Sequence, residues 1–137
     1  MKIALSNNKI IELNLVIDND KTEERENQFN FDFDVKYDDV QDNVFYIIFD
    51  VQIEHPNDFK LSAKYVSVFK TSEKIDDEFK KSEFTTINAP AIAFPFLRSF
   101  VATITLNSGF TPAILPSINF IDFKTQKTIE SGLEKQK

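Results

Sequence analysis

The apolar positions of the chain first recur with a period of two. Ile11, Leu13, Leu15 and Ile17 alternate with Glu12, Asn14 and Asp18, which predicts a first strand with one face buried. Lys2 to Ser6 either extends that strand or forms a separate edge segment. Asn19 to Gln28 has no apolar residue and reads as a solvated connection. A second strand follows, with Phe29, Phe31, Phe33, Val35 and Tyr37 on one face and Asn30, Asp32, Asp34, Lys36 and Asp38 on the other. A slip of one residue would turn three phenylalanines into water, so the register is strongly specified. After a polar turn, Asp38 to Asn43, the third strand runs from Val44 to Glu54. Its first half is apolar on both faces, the mark of a central strand or of a patch covered by another subunit. His55-Pro56-Asn57-Asp58 is a turn. The fourth strand sets Phe59, Leu61, Ala63, Tyr65, Ser67 and Phe69 against Lys60, Ser62, Lys64, Val66, Val68 and Lys70. Short connections make strands two to four an antiparallel meander.

The period then lengthens. Ser72 can cap a short helix from Glu73 to about Lys81, with Ile75 and Phe79 on one face. From Phe84 to Ile121 the only charged residue is Arg98, so this stretch needs cover on nearly all sides. Asn88 is a candidate N-cap for a long helix, with Pro90 in its first turn; Pro95 makes the helix start late or bend. Phe96, Phe100 and Ile104 form one row, Leu97, Val101 and Leu106 lie largely to another side, and Gly109 is the expected residue just past the end. Apolar rows on two sides require more cover than one sheet provides. Gly109 to Ile121 is a proline-punctuated loop, and Asp122 to Lys137 is polar with isolated Phe123, Ile129 and Leu133. The expected organisation is one domain over residues 1–123 and a flexible tail over 124–137.

Composition narrows the function. A net charge of -6 argues against non-specific nucleic-acid binding, which depends on Lys and Arg neutralising phosphates. Without cysteine there are no disulfides and no thiolate metal sites, which fits a reducing compartment. Met1 to Lys9 has no continuous apolar region, and the uncharged run Ser99 to Ile121 is broken by Asn107, Gly109, Pro112 and Pro116. The expectation is a soluble cytoplasmic protein with no membrane insertion.

Enzymatic chemistry is sparse. Two isolated glycines rule out phosphate-binding fingerprints, and one histidine without cysteine allows no zinc constellation and no Cys–His pair. His55 reads as an exposed turn residue. Asp32 and Asp34 lie opposite the phenylalanines and read as a solvated face rather than a carboxylate pair. Asp18-Asn19-Asp20 lacks the glycine and closing acid of a calcium loop, and Asp76-Asp77-Glu78 complements a helix dipole. Arg98 has two readings: a solvent-facing position with its stem on apolar surface, or a bond across a subunit interface. No catalytic site, cofactor or metal is expected.

Four long strands followed by Ala89-Pro90-Ala91-Ile92-Ala93-Phe94-Pro95-Phe96-Leu97-Arg98 resemble the SecB family of protein-export chaperones. Phe94-Pro95-Phe96-Leu97-Arg98 is similar to the family's helix start. Gly109-Phe110-Thr111-Pro112 and Leu115-Pro116-Ser117-Ile118-Asn119-Phe120 are similar to its glycine, proline-containing loop and Asn-Phe pair. The resemblance implies an α+β fold: a four-stranded antiparallel sheet, a crossover between strands one and two, a long helix packed on the sheet, and a second helix after Asn119-Phe120. It also implies a homotetramer, a dimer of dimers, with Phe96, Leu97, Arg98, Phe100, Val101 and Ile104 at the interface between subunits. The implied activity is an ATP-independent holdase for unfolded client polypeptides, serving export through the SecA motor or a toxin–antitoxin system with its antitoxin as partner. The candidate peptide-binding residues are Phe110, Ile114, Leu115, Ile118, Phe120 and Phe123. Two other classes compete. One is a small-ligand carrier or enzyme whose pocket is lined by Phe29, Phe31 and Phe33 on a curved sheet. The other is an assembly subunit in which the apolar helix serves only contacts between chains.

Overall fold

In the computed structural model, residues 1–19 and 26–125 are described. The chain divides into two compact units, Met1–Lys74 and Ile75–Lys137.

The first unit is an antiparallel sheet of four strands, β1 (Ile3–Ile17), β2 (Gln28–Tyr37), β3 (Val44–His55) and β4 (Phe59–Thr71), in the order β1-β4-β3-β2. The meander of β2, β3 and β4 is as the alternation predicts, and the link from β1 to β2 crosses from one edge of the sheet to the other. The centre of that link, 20–25, lies outside the described residues. Its first residue is anchored, because the Asp18 N–H donates to the Asp58 carbonyl at 3.0 Å.

The strand cores follow from their sequences. Phe45, Ile47, Phe49, Val51 and Ile53 of β3, and Phe59, Leu61, Ala63, Tyr65 and Phe69 of β4, share one buried face. Phe45 and Phe69 stack with ring centroids 5.1 Å apart. Both strands are central, which explains why β3 is apolar on its two faces over its first half. On β2 the same face is only half-buried, and its phenylalanines pack on one another and on Phe49.

β1 takes in Ile3 to Ser6, the first of the two alternatives, and departs from the expected pattern in two other ways. Its register with β4 shifts between Leu5 and Asn7 and between Ile10 and Glu12. Ser6 and Ile11 are the extra residues of these bulges. The second shift puts Ile10, not Ile11, opposite Tyr65, so the apolar set on the core side is Ile10, Leu13, Leu15 and Ile17. Nor is this face buried as expected: Ile10, Leu13 and Ile17 are exposed and Leu15 is half-buried, because β1 is an edge.

In the second unit the short helix α1 (Asp77–Lys80) is capped by Asp76, whose Oδ1 accepts the Phe79 N–H at 2.8 Å. Ser72 is not its cap. Its hydroxyl accepts the Lys2 N–H at 2.7 Å and fastens the start of β1 beside the end of β4. The long helix also starts earlier than expected. A π-turn, Phe84–Asn88, runs into α2 (Ala89–Asn107), and Asn88 makes no capping bond. The Ala89 N–H reaches back to the Phe84 carbonyl, and Pro90 has no N–H to continue an ordinary ladder from that turn. Pro95 lies inside α2 on its exposed side, and Ala91, whose carbonyl it has no N–H to meet, is exposed as well. Phe84–Asn107 is, by length and composition, apolar enough to cross a membrane, unlike the later run Ser99 to Ile121. A core helix has the same composition, and a stripe of α2 is buried: Pro90, Ala93, Phe94, Leu97, Val101 and Thr105.

Candidate functional site

The end of α2 and the loop after it form one built structure. Gly109 has φ +94°, a conformation that side chains with a Cβ rarely adopt. Its N–H donates to the Leu106 carbonyl and that of Phe110 to the Thr105 carbonyl, each at 3.1 Å, the paired bonds of a Schellman stop. Thr105, fully buried, then does two jobs. Its hydroxyl donates to the Val101 carbonyl at 2.8 Å and accepts the Ala113 N–H at 2.9 Å. A further anchor is Asn119, whose Oδ1 accepts the N–H groups of Ile121 and Asp122 at 3.0 and 3.2 Å. It caps the helical residues 120–125, so the polar segment after Phe120 begins as a helix. The rest of that segment, 126–137, lies outside the described residues. Asparagine before an apolar pair was a readable cap signal.

Between these anchors the side chains sort into two sets. Leu115 and Phe120 are 2% and 4% exposed, with the Phe120 ring edge-on to Phe94 at 5.8 Å, and they belong to the core of the unit. Ile114 is 68% exposed, and Ile121 is exposed as well. Phe110, Ile118 and Phe123 are half-buried. The six candidate peptide-binding residues therefore share one segment but not one environment.

The six candidate interface residues divide in the same way. Leu97 and Val101 are fully buried within the chain. Phe96 is 47% exposed, and Phe100 and Ile104 are half-buried. At helical spacing Phe96 shares a face with Ile92 and Leu106, which are 47% and 56% exposed, and with Ser99 and Thr103. That face is uncharged and apolar at its large side chains. Beside it Arg98 is half-buried, and its Nε is shielded from water without an acceptor among the described residues, as is the hydroxyl of Thr86.

The sheet has its own features. The side opposite the buried face holds a shallow depression of about 230 Å³ lined by Asp32, Asp34, Lys36, Ile48, Asp50 and Lys64, among others. Asp32 stands directly across from Asp50, and Asp50 across from Lys64, which pairs with Glu12 at 3.8 Å. The other side was the candidate aromatic pocket. There Phe29 stacks on Phe31 at 6.2 Å, and Phe31 and Phe33 lie 5.7 and 6.3 Å from Phe49. The rings fill one another's space. His55, expected in an exposed turn, ends β3 and is half-buried with its ring 4.7 Å from that of Phe59. Among the described residues no group of three or more His, Asp or Glu side chains could hold a metal ion.

The family described as preprotein translocase subunit SecB matches residues 13–130. An uncharacterised protein of Methanocaldococcus jannaschii is 32% identical over 114 residues, 78% of this chain and 72% of that one. The protein-export protein SecB of Anaplasma marginale is 39% identical over 62 residues, which are 45% of this chain and only 35% of that protein. Among solved structures, a SecB-like chaperone of Mycobacterium tuberculosis, in complex with a peptide from an antitoxin, superposes with a TM-score of 0.64 at 10% identity. That match covers 85% of this chain and 89% of the other. At such low identity it speaks for the fold: a four-stranded antiparallel sheet with a long helix.

Proposed function

The chain belongs to the SecB family, and from that premise we propose that it is a non-enzymatic, ATP-independent holdase that keeps unfolded polypeptides from aggregating. The observation that carries the proposal is the exposed apolar surface of the second unit. Ile114 stands out from a loop pinned at Thr105 and Asn119, and Ile121 from the helix that Asn119 caps. A fixed backbone presenting exposed apolar side chains lowers the ordering cost of binding, and each large side chain covered by a client contributes on the order of 1.5–3 kcal/mol. Phe110, Ile118 and Phe123 form the half-buried margin of this contact surface. Leu115 and Phe120 support it from beneath.

A working assembly requires cover for the second apolar face of α2. Ile92, Phe96, Phe100, Ile104 and Leu106 are proposed to meet another subunit in a homotetramer built as a dimer of dimers, with Arg98 donating across that interface. Residues 1–123 act as one functional domain in a cytoplasmic protein. The apolar helix Phe84–Asn107 is on this reading an interface helix, not a membrane span.

The system served is either export or a toxin–antitoxin pair. Asp32, Asp34 and Asp50 on the outer sheet side favour a docking partner with basic groups, such as an export motor, but Lys36 and Lys64 stand among them. The peptide bound by the Mycobacterium tuberculosis relative favours an antitoxin. The test is suppression of aggregation of a chemically unfolded client at stoichiometric ratio. The purified chain is expected to suppress light scattering and Ile114→Asp to weaken that effect while melting as the wild type does. Unaltered client aggregation in the presence of the wild-type chain overturns the proposal.

A further inference from the structure

Both edges of the sheet carry backbone donors that face no neighbouring strand, and the two edges treat them differently. The bond from the Asp38 N–H to the Val44 carbonyl (3.1 Å) sets the phase of the β2–β3 ladder. Even-numbered residues of β2 bond to β3, and the odd-numbered ones, Phe29 to Tyr37, point their N–H groups away from the sheet. The outward donors of Phe33 and Val35 are occupied by the carboxylates that precede them. The Phe33 N–H donates to Asp32 Oδ1 at 2.8 Å, and the Val35 N–H to Asp34 Oδ1 at 2.9 Å. On β1 the bond from Asp18 to Asp58 sets the corresponding phase and turns the N–H groups of Leu13, Leu15 and Ile17 outward, three in succession. Among the described residues no side chain takes these three.

An added strand needs successive outward donors to form its ladder. With Phe33 and Val35 taken, the other outward positions of β2 are split into Phe29 and Phe31 on one side of the block and Tyr37 on the other. Neither side holds more than two outward positions in a row. The carboxylates also stand where the carbonyl groups of an arriving strand would come.

We propose that Asp32 and Asp34 are edge guards: by occupying the outward N–H groups of Phe33 and Val35, they close β2 to strand addition and confine backbone pairing with other chains to the β1 edge. What they exclude is an extended apolar polypeptide, the nearest at hand being β2 of a second copy, whose phenylalanines would extend the aromatic row. The inference does not rest on the chaperone reading, since it concerns the chain by itself.

The test is the mass of the full chain by light scattering over a range of concentrations, for wild type, Asp32→Ala/Asp34→Ala and Asp32→Asn/Asp34→Asn, each with a far-UV spectrum to confirm folding. The alanine pair is expected to gain mass with concentration beyond the wild-type assembly. The asparagine pair keeps an acceptor without the charge and is expected to behave as wild type. An alanine pair with wild-type mass throughout overturns the proposal. So does an asparagine pair that associates as strongly as the alanine pair, because charge and not the bond would then be the guard. Amide exchange on the wild-type chain needs no variant: Phe33 and Val35 are expected to exchange several-fold more slowly than Phe29, and equal rates overturn the proposal as well.

Discussion

The hydroxyl of Thr105 accepts the N–H of Ala113 at 2.9 Å while donating to the carbonyl of Val101, and so ties the loop after α2 to the helix it has just left. The two are eight positions apart in sequence, and a Schellman stop lies between them. The exposed apolar residues of the loop depend on this tie for their fixed presentation.

Thr105→Val keeps the shape of the side chain and removes both bonds, leaving the Ala113 N–H without its partner. A loss of about 1–3 kcal/mol is expected in urea unfolding. Thr105→Ser restores the hydroxyl and is expected to recover most of it.

Phe45 is fully buried and stacked on Phe69. Phe45→Ala removes a large side chain from the buried face of two central strands whose ladder holds them in place around the gap. Equilibrium denaturation is expected to show a loss of about 3–5 kcal/mol. A loss below about 1 kcal/mol would mean that this face is not the core of the sheet.

Acid sensitivity has an identifiable source in the turn between β2 and β3. The Tyr46 hydroxyl, followed by the N–H groups of Gln41 and Val40, holds the Asp38 carboxyl below its ordinary value. The folded pKa lies below the unfolded one, so this contribution is complete above about pH 4 and is lost as pH falls through the folded value. The same bond raises the Tyr46 hydroxyl, so its share is complete below about pH 10 and is lost as pH rises through the folded value. Tyr46→Phe is therefore expected to flatten the stability profile at both ends and to leave mid-range pH least affected. Thermal melts across pH check this.

Phe96→Asp places a charge at the middle of the exposed face of α2. Since nearly half of the side chain is already open to solvent in the single chain, its fold is expected to survive. Its assembly is not: light scattering is expected to show a mass below that of the wild type. An unchanged mass would separate this face from the subunit interface.

Much of the first unit was legible because strand alternation is local. The faces of β2, β3 and β4 follow from which residues are apolar, and β4 was read to within a residue of its end. β1 misled because Ile10 and Ile11 are both isoleucine. The bulge that chooses Ile10 for the core side is set by pairing with Tyr65, far away in sequence. Ser72 and Asn88 misled for a related reason. Each is a good cap by type, yet Ser72 is engaged by Lys2, and Asn88 lies within a helix that had already begun at Phe84. In the candidate site, the sequence marked the right loop but could not separate Ile114 from Leu115. On an irregular backbone no period tells which of two neighbours faces inward.

By itself, then, the sequence determined the four main strands and the long helix, the register-bearing face of β2, the glycine that stops α2 and the family to which the chain belongs. These rest on side-chain period, backbone preference and short motifs, all of them properties of neighbouring residues. Only the tertiary structure decided that β1 is an exposed edge, that Leu97 and Val101 are core while Phe96 is open, and that Thr105 holds Ala113. Those outcomes depend on which distant segments come to lie side by side. Burial and hydrogen-bond partnership belong to that arrangement and not to any residue type.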